Sequence, residues 1–348
     1  MESITKRLYK AIGKEVSTCP PTIVDCSQGQ ETGSDGVPFV SYENLQFLSE
    51  RELDSFFSKV SSKHFSSLFL IAEGYSPYLD PTGTNFHKTS QPAEWWLEKL
   101  QQAAIPARLV KKIGQNVFLF SSWELSEETK RDINWLVRRQ RMTASIRKLP
   151  FKLAAPILMR QKRFMAPVSL AMLAREKKIA LVGNAKRLSD YNFGEEIDAH
   201  DIVVRMNSCP IIEARSHGTK THWVAASGDF TKDVMEARSA KIAMWMTPKR
   251  NNVPPWFLFW PQRYLHPVAE TKKLRGKACV NSPTTGLMVF DLLRNTDCAQ
   301  LTLYGFDFFN SLSSSGHRQV DQLPHDFEME KAYVEKHVAE DTRLELRW

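Results

Sequence analysis

Apolar and polar positions along this chain follow two periods. From about Thr22 to Leu125 the sequence reads TIVD, LQFLSERELDSFFSKV, SLFLIAEGY, WWLEKLQQA and NVFLFSSW. Apolar runs of about four to eight residues bounded by turn residues predict buried strands, and recurrence at i, i+3, i+4 predicts amphipathic helices. The spacing therefore predicts a small α/β region over residues 1–125. Downstream, KKIALVGNA, DIVVRMN and LTLYGFD predict strands, and TGLMVFDLLRN a helix before the last of them. Strands alternating with helices predict a doubly wound, Rossmann-like parallel sheet over residues 176–348, whose ligands sit at the carboxyl ends of the strands. Gly183-Asn184, Arg205–Asn207 and Gly305–Asp307 all fall at such ends.

Composition narrows the class. The chain has 348 residues, is 42% hydrophobic and 25% charged, and carries a formal charge of +8. These values exclude a disordered, collagen-like or simple coiled-coil protein. No run approaches the roughly 18 apolar residues that cross a bilayer, and MESITKRLYKAIGKEV lacks the features of a signal peptide. The five cysteines, Cys19, Cys26, Cys209, Cys279 and Cys298, are scattered and contain no C-x-x-C pair, which predicts reduced thiols and no zinc site. A cytoplasmic location is the expectation.

Charge is concentrated in one stretch. Residues 138–178 hold twelve Lys/Arg and a single acid, Glu176, with Pro150, Pro156 and Pro167 among them. Prolines break helices, so residues 126–175 predict a basic connector of short helices. A solvated helical face and attachment to an anionic membrane surface are the two readings, the second favoured by the interleaved apolar residues of FKLAAPILMRQKRFMAPVSLAML. Nucleic acid is disfavoured, because no nucleic-acid module accompanies the charge.

The chemistry-bearing residues lie in the second half. Turns with Gly183, Asn184 and Asn207 can donate hydrogen bonds to a nucleotide, and Pro283-Thr284-Thr285-Gly286 opens a helix whose first amides and hydroxyls suit an anion. His317 and His325 follow in a polar stretch, with Glu330 five residues after the second. Imidazole exchanges protons near neutrality. Taken singly, each feature has a plain structural explanation: a β-turn, a helix cap, a surface histidine. Their order and spacing give them weight together.

In that order, KIALVGNAKRLSDYNFGEEIDAHDIVVRMNSCPI resembles the long sialyl motif of the eukaryotic-type sialyltransferases, glycosyltransferase family 29. NSPTTGLMVFDLLRNTDCAQLTLYGF resembles the short motif, His317 falls where the third motif has its histidine, and His325 to Glu330 forms the final H-x4-E. The resemblance implies a GT-A-variant sheet and an inverting transfer from a CMP-sugar. It implies that Gly183, Asn184 and Asn207 hold the cytidylate, that Thr284, Thr285 and Gly286 contact phosphate or sugar carboxylate, and that Gly305 lies near the ribose. His317 would assist the departing phosphate, His325 would be the general base, and Glu330 would orient its segment.

Such a reaction needs positioning, a base and stabilised phosphate charge, without a protein nucleophile. No two aspartates stand two apart, so the D-x-D that holds a metal in many nucleotide-sugar enzymes is missing and metal-independent transfer is the expectation. Two departures stand out. The family joins a cysteine at the head of the long motif to one in the short motif; here the latter is Cys298 but the former is Ile179, which points to a bacterial-type enzyme in a reducing cytoplasm. Asp307 follows YGF where many relatives have Gly, which leaves the ribose contacts open.

The expected partners are a CMP-sugar, sialic acid first and Kdo as the alternative, and a glycan or glycolipid acceptor such as lipooligosaccharide or a capsule precursor. No cofactor is expected. An inactive glycan-binding protein is the rival from another class. A Rossmann dehydrogenase is disfavoured because VGNAKR lacks G-x-G-x-x-G. The first region faintly resembles the second half of a class I methyltransferase, without the Gly-rich turn that would hold its cofactor.

Overall fold

The computed structural model describes residues 31–32, 38–43, 45–61, 66–72, 74–76, 78–113, 117–125, 163–208, 210–228, 231–308 and 324–347, with scattered positions between 127 and 159 and at 313. Contacts divide the chain into two units, residues 1–74 with 87–150, and residues 75–86 with 151–348.

In the first unit, strands β1 (Glu31–Thr32), β2 (Pro38–Glu43), β3 (Ser66–Ala72), β4 (Arg108–Ile113) and β5 (Val117–Ser121) form one sheet in the order β1-β2-β3-β5-β4. β2 and β3 are parallel and the other pairs antiparallel, with a bulge in β4 between Leu109 and Lys111. Side chains of β3 alternate between faces with the period of two that a strand imposes. Phe69 and Ile71 join Leu53 and Phe57 of helix α1 (Glu50–Ser61) and Trp96 and Leu100 of α2 (Ala93–Gln102). Leu68 and Leu70 pack on the opposite face with Leu119, Ile133 and Val137. The helical and strand runs expected from LQFLSERELDSFFSKV, SLFLIAEGY, WWLEKLQQA and NVFLFSSW are all present, and TIVD lies outside the described residues.

The second unit is built on a seven-stranded sheet, all parallel: β6 (Lys178–Val182), β7 (Ile202–Met206), β8 (Trp223–Ala226), β9 (Ile242–Trp245), β10 (Gln262–Leu265), β11 (Gln300–Tyr304) and β12 (Leu344–Arg347). Their order is β10-β9-β8-β7-β6-β11-β12, so the chain winds outward from β6 in one direction and then returns to add β11 and β12 on the other side. The doubly wound expectation holds, with its switch point between β6 and β11. Sequence patterns reveal three of these strands, β6, β7 and β11; WVAA, IAMW, QRYL and LELR are only four residues each.

Helices α3 (Pro167–Ala174), α4 (Gly194–Asp198), α5 (Ala214–His217), α6 (Lys232–Ala237), α7 (Val268–Ala278), α8 (Thr285–Arg294) and α9 (Phe327–Glu340) connect them. Alternation again sorts the core: Trp223 and Ala225 of β8, with Ile242 and Met244 of β9, face one layer, whereas Val224, Ala226, Ala243 and Trp245 face the other. The apolar stripe of α8 buries Leu287, Met288, Val289, Phe290 and Leu293. Ile179 and Cys298 both lie in the larger core cluster, and Cys298 is a free buried thiol. No helix among the described residues is long and apolar enough to cross a membrane.

Candidate active site

The carboxyl ends of β6, β7, β8 and β11 meet the first turns of α8 and α9, and hydrogen bonds tie these pieces together. After β6, the Asn184 side-chain amide donates to the Met206 carbonyl at 3.1 Å. After β7, Asn207 adopts the left-handed conformation at φ 58°, which asparagine tolerates well, and its backbone N–H donates to the Ala225 carbonyl at 2.8 Å. After β8, Ser227 accepts a 2.8 Å bond from the Thr285 hydroxyl, which anchors the start of α8 to the strand tip. Sequence reasoning missed Ser227; its signal is the small A-A-S-G ending that closes the apolar run WVAA.

The tips of β6 and β11 pinch together at the switch point. Gly183 N–H donates to the Tyr304 carbonyl at 2.7 Å, and a Cβ on Gly183 would stand 2.2 Å from the Gly305 carbonyl oxygen. Gly305 itself has φ +64°, which glycine adopts without a Cβ penalty. Gly183 thus makes a close backbone approach to Gly305. Gly286 serves similarly at the start of α8, where a Cβ would meet the Phe306 ring at 2.9 Å and the Met206 sulfur at 3.4 Å. Asp307, buried to 6% exposure, closes this corner beside Ala185, Arg187 and Tyr191.

Thr284 caps α8: its hydroxyl oxygen accepts the Leu287 N–H at 3.0 Å. The same residue is gripped by Glu330, whose carboxylate accepts the Thr284 N–H at 2.7 Å and the Thr284 hydroxyl at 2.6 Å. The anion expected at this helix start is therefore in part the protein's own. Thr285 and Gly286 follow, with backbone amides that by helix geometry have no acceptor within the helix. Glu330 is only 2% exposed, and burial pushes its pKa up to about 7, against the pull of the two Thr284 bonds and with a smaller upward push from Asp326.

His325 holds the same loop from one turn earlier. Its Nδ1 lies 2.6 Å from the Ser282 carbonyl. A carbonyl only accepts, so Nδ1 donates here, and in the neutral ring that tautomer leaves on Nε2 the lone pair a general base requires. The Phe327 ring stands 5.7 Å away, and Asp326 caps α9 by accepting the Met329 N–H. His325 and Glu330, chosen from sequence, thus converge on Ser282–Thr284. His317 lies outside the described residues; Ser313, four positions upstream, pairs with Ala185 next to Asn184.

The chain is 28% identical over 155 residues to the CMP-N-acetylneuraminate-beta-galactosamide-alpha-2,3-sialyltransferase 1 of Mus musculus, a match covering 37% of this chain and 44% of that one. It therefore spans less than half the length of this relative. Among solved structures, a mammalian sialyltransferase in complex with Gal-beta-1-3GalNAc-ortho-nitrophenol aligns at 21% identity and a TM-score of 0.40, covering 64% of this chain and 86% of that one. The sialyltransferase CstII from Campylobacter jejuni in complex with cytidine-5'-monophosphate aligns at 14% identity and a TM-score of 0.36, covering 49% and 79%. Residues 122–231, which include β6, β7, Asn184 and Asn207, match the model of glycosyltransferase family 29 (sialyltransferase).

Proposed function

We propose that this protein is a metal-independent, inverting glycosyltransferase that moves sialic acid from CMP-sialic acid to a hydroxyl of a glycan or glycolipid. The observation that supports it best is the shared grip of His325 and Glu330 on the loop that opens α8, at the sheet edge where Asn184 and Asn207 cross-link the strand tips. In this reading His325 Nε2 takes the proton of the acceptor hydroxyl as its oxygen bonds to the anomeric carbon. The bond from that carbon to the phosphate oxygen breaks on the opposite face, and CMP leaves with the electron pair.

The amides of Thr285 and Gly286 and the side chain of His317 stabilise the phosphate charge, at a helix start whose dipole favours anions. Asn184 and Asn207 hold the cytidylate, with Gly183 and Gly305 giving the crevice its shape. Glu330 acts through Thr284 as a positioning residue. The family match at residues 122–231 supports the donor class. A cytoplasmic enzyme attached to an anionic membrane through residues 138–178 suits a lipid-linked acceptor, and the exposed apolar residues of α3 favour that attachment.

Incubation of the purified chain with CMP-sialic acid, and separately with CMP-Kdo, in a chelator and with a mixture of glycan acceptors is the direct test. Acceptor-dependent CMP release from the sialic acid donor is expected, falling at least a hundredfold in His325→Ala. Release from CMP-Kdo alone would reassign the donor. No release from either, or full turnover by His325→Ala, would overturn the reading.

A further inference from the structure

Residues 75–86 lie in the N-terminal half of the sequence but belong to the second unit. Leu79 pairs with Asn85 in an antiparallel bridge, and the Phe86 N–H donates to the Tyr78 carbonyl at 3.4 Å, so Tyr78 and Phe86 face each other across a short ribbon. Side chains on such a ribbon alternate sides. Asn85 points inward: it is 1% exposed, its Oδ1 accepts the Ser76 N–H at 3.0 Å, and its Nδ2 donates to the carbonyls of Ser76 and Ile211. Tyr78 and Phe86 point outward, at 51% and 42% exposure.

The ribbon is cross-linked by hydrogen bonds and attached to the segment that follows β7 and Asn207. Asp80 Oδ1 accepts the N–H groups of Thr82 and Thr84 and the Thr82 hydroxyl, which fixes the tip. Asn85 N–H donates to the Ile212 carbonyl and Ala214 N–H to the Gly83 carbonyl, both at 2.8 Å. A Cβ on Gly83 would come within 2.9 Å of the Ala214 Cβ, so the tip is seated directly on α5. Ile211, to which Asn85 is bound, follows Asn207 by four residues, a reach of at most about 14 Å.

We propose that Tyr78 and Phe86 form a stacking platform for the acceptor saccharide. Cross-strand partners stand on one face of the ribbon, with Cβ atoms about 5 Å apart, and an aromatic face accepts the polarised C–H groups of a sugar ring. A ribbon already fixed by Asp80 and Asn85 gives up little freedom when a ligand lands on it. Two exposed rings next to a polar tip of Asp80, Thr82 and Thr84 match one or two sugar units, whereas a stable protein partner needs about 1,000 Å² or more of contact. The identity of the occupant as an acceptor rests on the transferase reading; the stacking surface does not.

The test uses the full chain on a printed array of neutral and acidic oligosaccharides, alongside acceptor KM values from CMP release and CMP affinity by calorimetry. Tyr78→Ala/Phe86→Ala is expected to lose at least tenfold in oligosaccharide binding and to raise the acceptor KM at least tenfold. CMP affinity should stay within twofold, and Phe86→Trp should retain saccharide binding. Loss of array binding in the double variant without any CMP-dependent transfer would keep the platform and overturn the transferase reading. Transfer with unchanged acceptor KM, an equal fall in CMP affinity, or a wild-type chain that binds no saccharide would overturn the platform.

Discussion

A carboxyl group that is 2% exposed and takes two bonds from Thr284 binds protons as well as holding a loop. Burial raises the Glu330 pKa to about 7 in the folded protein, from the ordinary value of 4.5. The folded chain therefore keeps a proton that the unfolded chain releases. This group's contribution to stability is complete below about pH 4.5, falls as the pH rises toward about 7, and is gone above it. Glu330→Gln abolishes the titration while its amide can still accept from the Thr284 N–H and donate to the Thr284 oxygen. Urea midpoints across this range should show wild type losing on the order of 3 kcal/mol relative to Glu330→Gln, and curves that stay parallel would refute this. Of the residues concerned, His325 and Glu330 are legible in the sequence because H-x4-E puts both at the start of one helix. Their partners, the Ser282 carbonyl and the two Thr284 donors, lie more than 40 residues away, and so does the pairing of Ser227 with Thr285. Local pattern carries no trace of contacts made through the fold.

The strands that the sequence reveals are those whose apolar run reaches a turn glycine or asparagine: β6 into Gly183, β7 into Asn207, β11 into Gly305. β8, β9 and β10 are four residues long, too short for a period to show; β8 has only the Ser227-Gly228 ending to mark it, and β10 buries Tyr264 alone. What the glycines do was less legible than where they stand. Gly183 and Gly305 touch each other, and they differ in how a methyl group would be received. A Cβ on Gly183 meets backbone at 2.2 Å, which only separation of β6 from β11 can relieve. On Gly305 it meets the flexible Leu188 side chain at 3.2 Å, and the cost is mainly that of the left-handed conformation, about 1–2 kcal/mol. Gly183→Ala should therefore lower the denaturant midpoint well beyond Gly305→Ala. Equal losses would show that the strand tips yield.

At the scale of the molecule, the clearest asymmetry is electrostatic. Residues 138–178 hold twelve basic residues and one acid in a chain whose total is +8, so everything else is net acidic. Charge alone fits a solvated face equally well; the helix within the segment supports the proposed membrane attachment. α3 buries Leu170 and Ala174 against the sheet, but Val168, Met172 and Leu173 are 63%, 72% and 45% exposed, between Arg163 on one side and Arg175, Lys177 and Lys178 on the other. An apolar stripe flanked by cations is what lies in the interface of an anionic bilayer, where each basic residue near the lipid adds about 1 kcal/mol. Three exposed apolar side chains on one short helix form a patch of the kind that marks an interaction site. Sedimentation with vesicles containing about one-third phosphatidylglycerol should carry the protein down in low salt, and raising the salt several-fold should release it, since screening removes the attraction. Met172→Asp should weaken binding about tenfold at constant salt, because it removes the apolar anchor and repels the surface. CMP release with a water-soluble acceptor should be unaffected by that change. Failure to sediment with anionic vesicles, or indifference to Met172→Asp, would return the segment to a solvated face and leave the lipid-linked acceptor without support from the fold.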